Sequence, residues 1–163
     1  MKEKLLNVAA PLRTSFALLD FLEAKPSSPS QECELARHLD NFLATSHLLE
    51  DDRIEPIEVS EIGRLHAEDM IVRDVMGARF PDLGLYWTVL DPIIRPGRDA
   101  VIATGDAIDD LLEIYQEIIE VKWLFDQHGQ DEALAGLKFR YQRHLYMHVL
   151  PLRVYLEEMI RHG

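Results

Sequence analysis

Residues 106–162 read DAIDDLLEIYQEIIEVKWLFDQHGQDEALAGLKFRYQRHLYMHVLPLRVYLEEMIRH, and their pattern decides the fold. With side chains about 100° apart around a helix axis, Ile108, Leu111, Leu112, Ile114, Tyr115, Ile118, Ile119, Val121, Trp123 and Phe125 fall on one arc. Asp110, Glu113, Glu117 and Glu120 form a stripe opposite, which reads as a solvated face. Thr104 or Asp106 can cap the first free N–H groups, and the acids of the first turn suit the positive end of the dipole. Gly129 ends this arm, because a residue tolerant of positive φ fits just past a helix end. A second arm starts at Asp131, taken as its N-cap, and carries Ala133, Leu134, Leu137, Tyr141, Leu145, Leu152, Leu156 and Met159 on one face. So short a turn makes the arms antiparallel neighbours.

Working outward, residues 3–24 repeat Leu5, Val8, Leu12, Phe16, Leu19 and Leu22 at helical spacing, with Pro11 expected to kink or restart the helix. Ser28-Pro29-Ser30-Gln31 reads as a capping box that opens a second helix reaching about Glu50. A third is expected from about Ser60 through Gly77. Residues 82–104 are the least regular part, with a short helix expected over 82–91 and a turn at Arg95-Pro96-Gly97. The fold predicted is all-α: one domain, residues 1–163, an antiparallel bundle of about five principal helices with an irregular connector at 82–104.

The chain has 29 Asp and Glu against 17 Lys and Arg, a formal charge of −12 that disfavours nucleic acid and anionic membranes as partners. A single cysteine, Cys33, excludes an internal disulfide and fits a reducing, cytoplasmic location; it reads as a small core residue. No run of about 18–20 apolar residues is present to span a membrane.

The run Tyr86-Trp87-Thr88-Val89-Leu90-Asp91-Pro92, then Asp109-Asp110-Leu111 and Ile114, then Glu132-Ala133-Leu134 with Phe139 and Tyr141, resembles bacterial domain-of-unknown-function family 5063. The resemblance covers mainly residues 86–156; where members tend to carry an aromatic–glycine pair, this chain has Leu145-Tyr146. It implies a helical fold and brings no assigned activity.

Several side chains invite a site. His144 and His148 lie four apart on the apolar side of the second arm, read as core-edge histidines bonded to carboxylates or backbone. Their alternative is half of a zinc site, completed from another helix by Asp69, or by His66 or His47. Lys122 lies within the apolar arc, as a buried cation for an anionic ligand or as a stem reaching to water. Arg143 and His148 fit the loose Arg-x4-His pattern of helical HEPN-type RNases. Phosphate loops, nucleophile elbows and Cys-x-x-Cys pairs are absent. The expectation is therefore a non-catalytic interaction or small-ligand-binding domain, with protein or small-molecule partners, no metal expected, and a site at His144, His148, Tyr141 and Lys122. Its alternative is a hydrolase, either an RNase using Arg143 and His148 or a metal enzyme using His144, His148 and Asp69; a cofactor and the oligomeric state are left open.

Overall fold

The computed structural model describes residues 8–25, 30–51, 53–56 and 69–162, the side chains of residues 69–71 excepted. The expected all-α bundle is present. Its helices are α1 (Ala10–Glu23), α2 (Gln31–Ser46), α3 (Asp69–Arg79), α4 (Ala107–His128), α5 (Gln130–Arg140) and α6 (Tyr146–His162). A 3-10 turn, His47–Glu50, extends α2, and a π-helical turn, Tyr141–Leu145, joins α5 to α6 in one rod. Five helical rods result among the described residues. No helix among the described residues is long and apolar enough to cross a membrane.

α4 is the central rod, packed against α1, α3, α5 and α6, while α2 packs on α1 and α6. Its Leu111, Ile114, Ile118 and Val121 are wholly buried with Leu12 of α1, Leu137 of α5 and Val149, Leu152 and Leu156 of α6. Truncating one of them, Ile118→Ala for instance, would cost about 2–5 kcal/mol through lost transfer energy and the cavity left behind. Asp106 caps α4 as expected, its carboxylate accepting from the N–H groups of Ile108 (3.0 Å) and Asp109 (3.4 Å). Arg73 of α3 holds the same carboxylate at 2.9 Å and ties α3 to this corner.

The structure corrects the expectation at several points. At Pro11 it is the second of the two expected outcomes that fits: the proline stands in the first turn of α1, where its missing N–H has no helical partner to lose. The part of the first helix expected before residue 8, Ser28 and Pro29 of the capping box, and the start of the third helix near Ser60 lie outside the described residues. Ser30 is the N-cap of α2 without a side-chain capping bond. Gly129, at φ 99°, both closes α4 and opens α5, donating to the carbonyls of Leu124 and Phe125 and accepting from Ala133. The connection thus takes one residue, and Asp131 enters the first turn of α5 instead of capping it. α6 runs through Pro151. The carbonyl that Pro151 cannot serve belongs to Met147, which is exposed, where water can take the missing N–H's place. Cys33 is exposed rather than in the core.

The short helix expected over 82–91 is a strand. β1 (Leu85–Val89) pairs antiparallel with β2 (Ile102–Asp106), with Leu85 opposite Asp106, Trp87 opposite Thr104 and Val89 opposite Ile102. Aromatic and β-branched residues fit a pleated, half-buried surface, and burial alternates along β1, Tyr86 and Thr88 inward and Leu85, Trp87 and Val89 outward. Tyr86 anchors the hairpin: its ring stacks on Tyr155 of α6, centroids 4.8 Å apart, and lies over Gly105, where a Cβ would overlap the ring. The Tyr155 hydroxyl accepts from the N–H of Gly84 at 3.1 Å, fixing the strand's entrance.

Candidate metal centre between the two long arms

The acidic stripe of α4 is not a solvated face. No residue of α4 from Asp110 to Lys122 is exposed, and Asp110 is buried. A central helix is covered on both sides, and the returning rod covers this side with basic groups. Arg140 Nη1 donates to Glu117 at 2.7 Å and Nη2 to Glu120 at 2.5 Å. His144 Nδ1 faces the other Glu117 oxygen at 3.1 Å, and His148 Nδ1 faces Asp110 Oδ1 at 2.8 Å. Tyr86 donates its hydroxyl proton to Asp110 Oδ2 in a short hydrogen bond. A continuous polar seam runs from the hairpin through Asp110, His148, His144, Glu117 and Arg140 to Glu120.

The π turn keeps this seam in line. On an ideal α-helix eight residues drift about 80° around the axis, which would carry Arg140 and His148 onto different faces. The wider turn at Tyr141–Leu145, with Tyr146 N–H reaching back to the Tyr141 carbonyl, takes up part of that drift. Arg140, His144 and His148 then all face α4.

At the middle of the seam the two imidazoles meet through their Nε2 atoms, 3.1 Å apart. Each Nδ1 faces a carboxylate, so the favoured tautomer carries its proton there and leaves a lone pair on Nε2. Two lone pairs in contact repel; a second proton on one ring or a cation held by both relieves the conflict. Ligand atoms of Glu113, His144 and His148 all lie within 4.8 Å of one another. A tetrahedral zinc ion with Zn–N distances of 2.0–2.1 Å sets its nitrogens about 3.3 Å apart, close to the spacing here. Asp110 and Glu117 supply the outer carboxylates that metal-bound histidines almost always have.

Of the residues singled out in the sequence, His144 and His148 are brought together and partly buried. Tyr141 turns toward α2, its hydroxyl accepting from Ser46 at 3.0 Å and its ring edge-on to Phe42. Lys122 pairs with Asp126 on its own helix and lies 5.8 Å from the Phe16 ring centroid; it is not at the seam. Arg143 is exposed and rests over Phe139, so it does not join His148. His47 is exposed on the 3-10 turn. The side chain of Asp69 and all of His66 lie outside the described residues.

Asp110, Glu113, Glu117, Arg140 and Tyr86 are the participants that sequence reasoning missed. A signal existed: acids at 120, 117, 113 and 110 descend one arm while basic groups at 140, 144 and 148 ascend the other. Antiparallel arms joined at Gly129 bring those series face to face. Burial holds the Tyr86 hydroxyl well above the ordinary phenol value, and the Asp110 carboxylate beside it adds to the effect. Tyr86 is thus a permanent donor to Asp110. Family models, curated proteins and solved structures offer no match to the chain.

Proposed function

We propose that this chain is a helical ligand-binding domain whose ligand is a divalent transition-metal ion, held by Glu113, His144 and His148. The observation that carries the reading is the contact of the two Nε2 atoms at 3.1 Å, each ring turned that way by a carboxylate on its Nδ1. Imidazole nitrogens with one carboxylate suit zinc, and also copper, iron or nickel. Asp110 and Glu117 orient the rings and raise the basicity of the ligating nitrogens, and Arg140 holds Glu117 in place. The acidic surroundings favour a cation further.

A metal-dependent hydrolase is the second reading, favoured by one feature: the His144 side chain is 40% exposed, so solvent reaches the cluster. Three protein ligands leave a fourth position for water, which zinc would activate for attack on an ester or amide carbonyl.

Metal-free protein titrated with zinc against a chromophoric chelator tests the binding. One equivalent is expected, lost in His148→Ala and His144→Ala and weakened in Glu113→Gln, with a matching rise in thermal midpoint on adding metal. Absence of saturable binding to the folded wild type would sink the reading and leave a shared second proton as the resolution of the histidine contact.

A further inference from the structure

The outward side of the hairpin is a second feature, independent of the metal centre. Leu85, Trp87 and Val89 of β1 and Ile102 of β2 stand on one sheet face, opposite the side that carries Tyr86, and Trp87 is 78% exposed. The connecting loop adds Ile93 and Ile94, the latter 96% exposed. An apolar cleft of about 630 Å³ opens between the hairpin and α6; both faces of β1 reach it, Tyr86 as well as Trp87, and α6 walls it with Leu150, Val154 and Glu158. Scaled by exposure, the side chains of β1, β2 and α6 present on the order of 700 Å² before the loop isoleucines are counted. The largest apolar patch on a typical monomer is about 300–600 Å², and each partner in a standard interface buries about 800 Å².

We infer that this face is the interface of a two-fold dimer of the chain with itself. Charge selects a second copy. The chain carries a net −12, and two such molecules repel over most of their surfaces. The hairpin, residues 85–105, holds two aspartates, Asp91 and Asp99, and two arginines, Arg95 and Arg98, and no net charge. Glu158 of α6 adds one negative charge at the cleft, a small part of the whole, so like copies can approach here with little of that penalty. Shape also permits self-pairing: an isologous contact requires one patch to contain both knob and hole. Trp87 is a knob beside a cleft whose other wall, Leu150, Pro151 and Val154, can receive the Trp87 of the second copy. An exposed tryptophan at the centre of an apolar patch is also the side chain most often dominant in binding.

Sedimentation equilibrium across the micromolar range tests the inference. Wild type is expected at twice the 18.8 kDa chain mass. Trp87→Lys and Val154→Glu should each weaken the dimer at least about thirtyfold, with far-UV circular dichroism unchanged because both side chains point outward. In a Trp123→Phe background, the remaining tryptophan emission should shift to the blue as concentration rises. A wild type at single-chain mass throughout would overturn the proposal; if it also bound 1-anilinonaphthalene-8-sulfonate at Trp87, the face would belong to another apolar occupant. A dimer indifferent to both substitutions would overturn it equally, placing the interface elsewhere.

Discussion

Replacing Tyr86 with phenylalanine deletes one oxygen and leaves the ring on Tyr155 and Gly105. Asp110 loses its short bond from the phenol and keeps His148 at 2.8 Å. A hydrogen bond to a charged group contributes about 1.5–3 kcal/mol, and the Asp110 side chain is only 11% exposed, so water replaces little of it. Metal-free Tyr86→Phe should be less stable than wild type by about that amount. The proposed metal centre adds a second effect, because Asp110 freed from the phenol is less well fixed and orients His148 less firmly. Loss of such an outer partner typically weakens metal affinity about 10–100-fold. With metal at about a hundred times the wild-type dissociation constant, wild type gains about 2.7 kcal/mol from binding. A site ten times weaker gains about 1.4 kcal/mol at that concentration. At about 2–4 °C per kcal/mol for a chain of this size, the metal-induced rise in thermal midpoint should be about 3–5 °C smaller in the variant. Differential scanning calorimetry with and without zinc gives both quantities. An equal metal-induced rise in the two proteins would refute the coupling of Tyr86 to the centre, whatever happened to the metal-free midpoint.

Three more expectations follow from the packing. Gly105→Ala places a Cβ where the Tyr86 ring lies; it should cost about 1–3 kcal/mol and weaken zinc binding together with stability in a chelator titration. Lys138→Met removes a buried ammonium that donates to the carbonyls of Asp51 (3.0 Å) and Ile54 (2.9 Å); urea unfolding should show a loss of about 1–3 kcal/mol from carbonyls left without a donor. His38 stacks on Phe21, and burial, followed by the charge of Arg37, lowers its pKa below 6.5. The unfolded chain therefore takes up the proton first as pH falls. Relative to His38→Phe, wild type should lose stability as pH drops below 6.5, and the gap should stop widening below the folded pKa; a gap widening toward alkaline pH would refute the assignment.

The two long arms could be read from sequence because burial on one face repeats at the helical period, and Leu111, Ile114, Ile118 and Val121 obey it. The same rule misread the opposite face of α4. Asp110 through Glu120 satisfy the pattern of a wet surface, and nothing within α4 reveals that a second helix lays Arg140, His144 and His148 across it. Local periodicity records polarity, not exposure; only pairing one arm's charges with the other's distinguishes a salted seam from solvent. The hairpin was lost for a related reason. Leu85 to Val89 is too short to establish a period, and its inward side is secured by one tyrosine whose partners, Gly105, Asp110 and Tyr155, are scattered along the chain. Tyr141 and Lys122 project with the apolar sets of their own arms, yet Tyr141 meets Ser46 of α2 and Lys122 turns to Asp126 on its own helix, so neither reaches the histidines.

The surplus residue at Tyr141–Leu145 gives the centre an address set by chain length. Arg140 and His148 share a face across two turns because one turn between them is wound wide. Removing a single residue there, Gln142 for example, would let the rod relax to ordinary winding with Arg140 and the second histidine seven residues apart, about 20° out of line where eight would leave about 80°. The two would keep their common face, and the apolar edge of α6, Val149, Leu152 and Leu156, would stay in the core with them. Adding a residue without a second wide turn would do the opposite, turning the histidine and that edge away together by about 100°. The position of the centre and the docking of the last helix are thus two readings of one count of residues, whereas a change in the identity of Gln142 or Arg143, both exposed, would disturb neither.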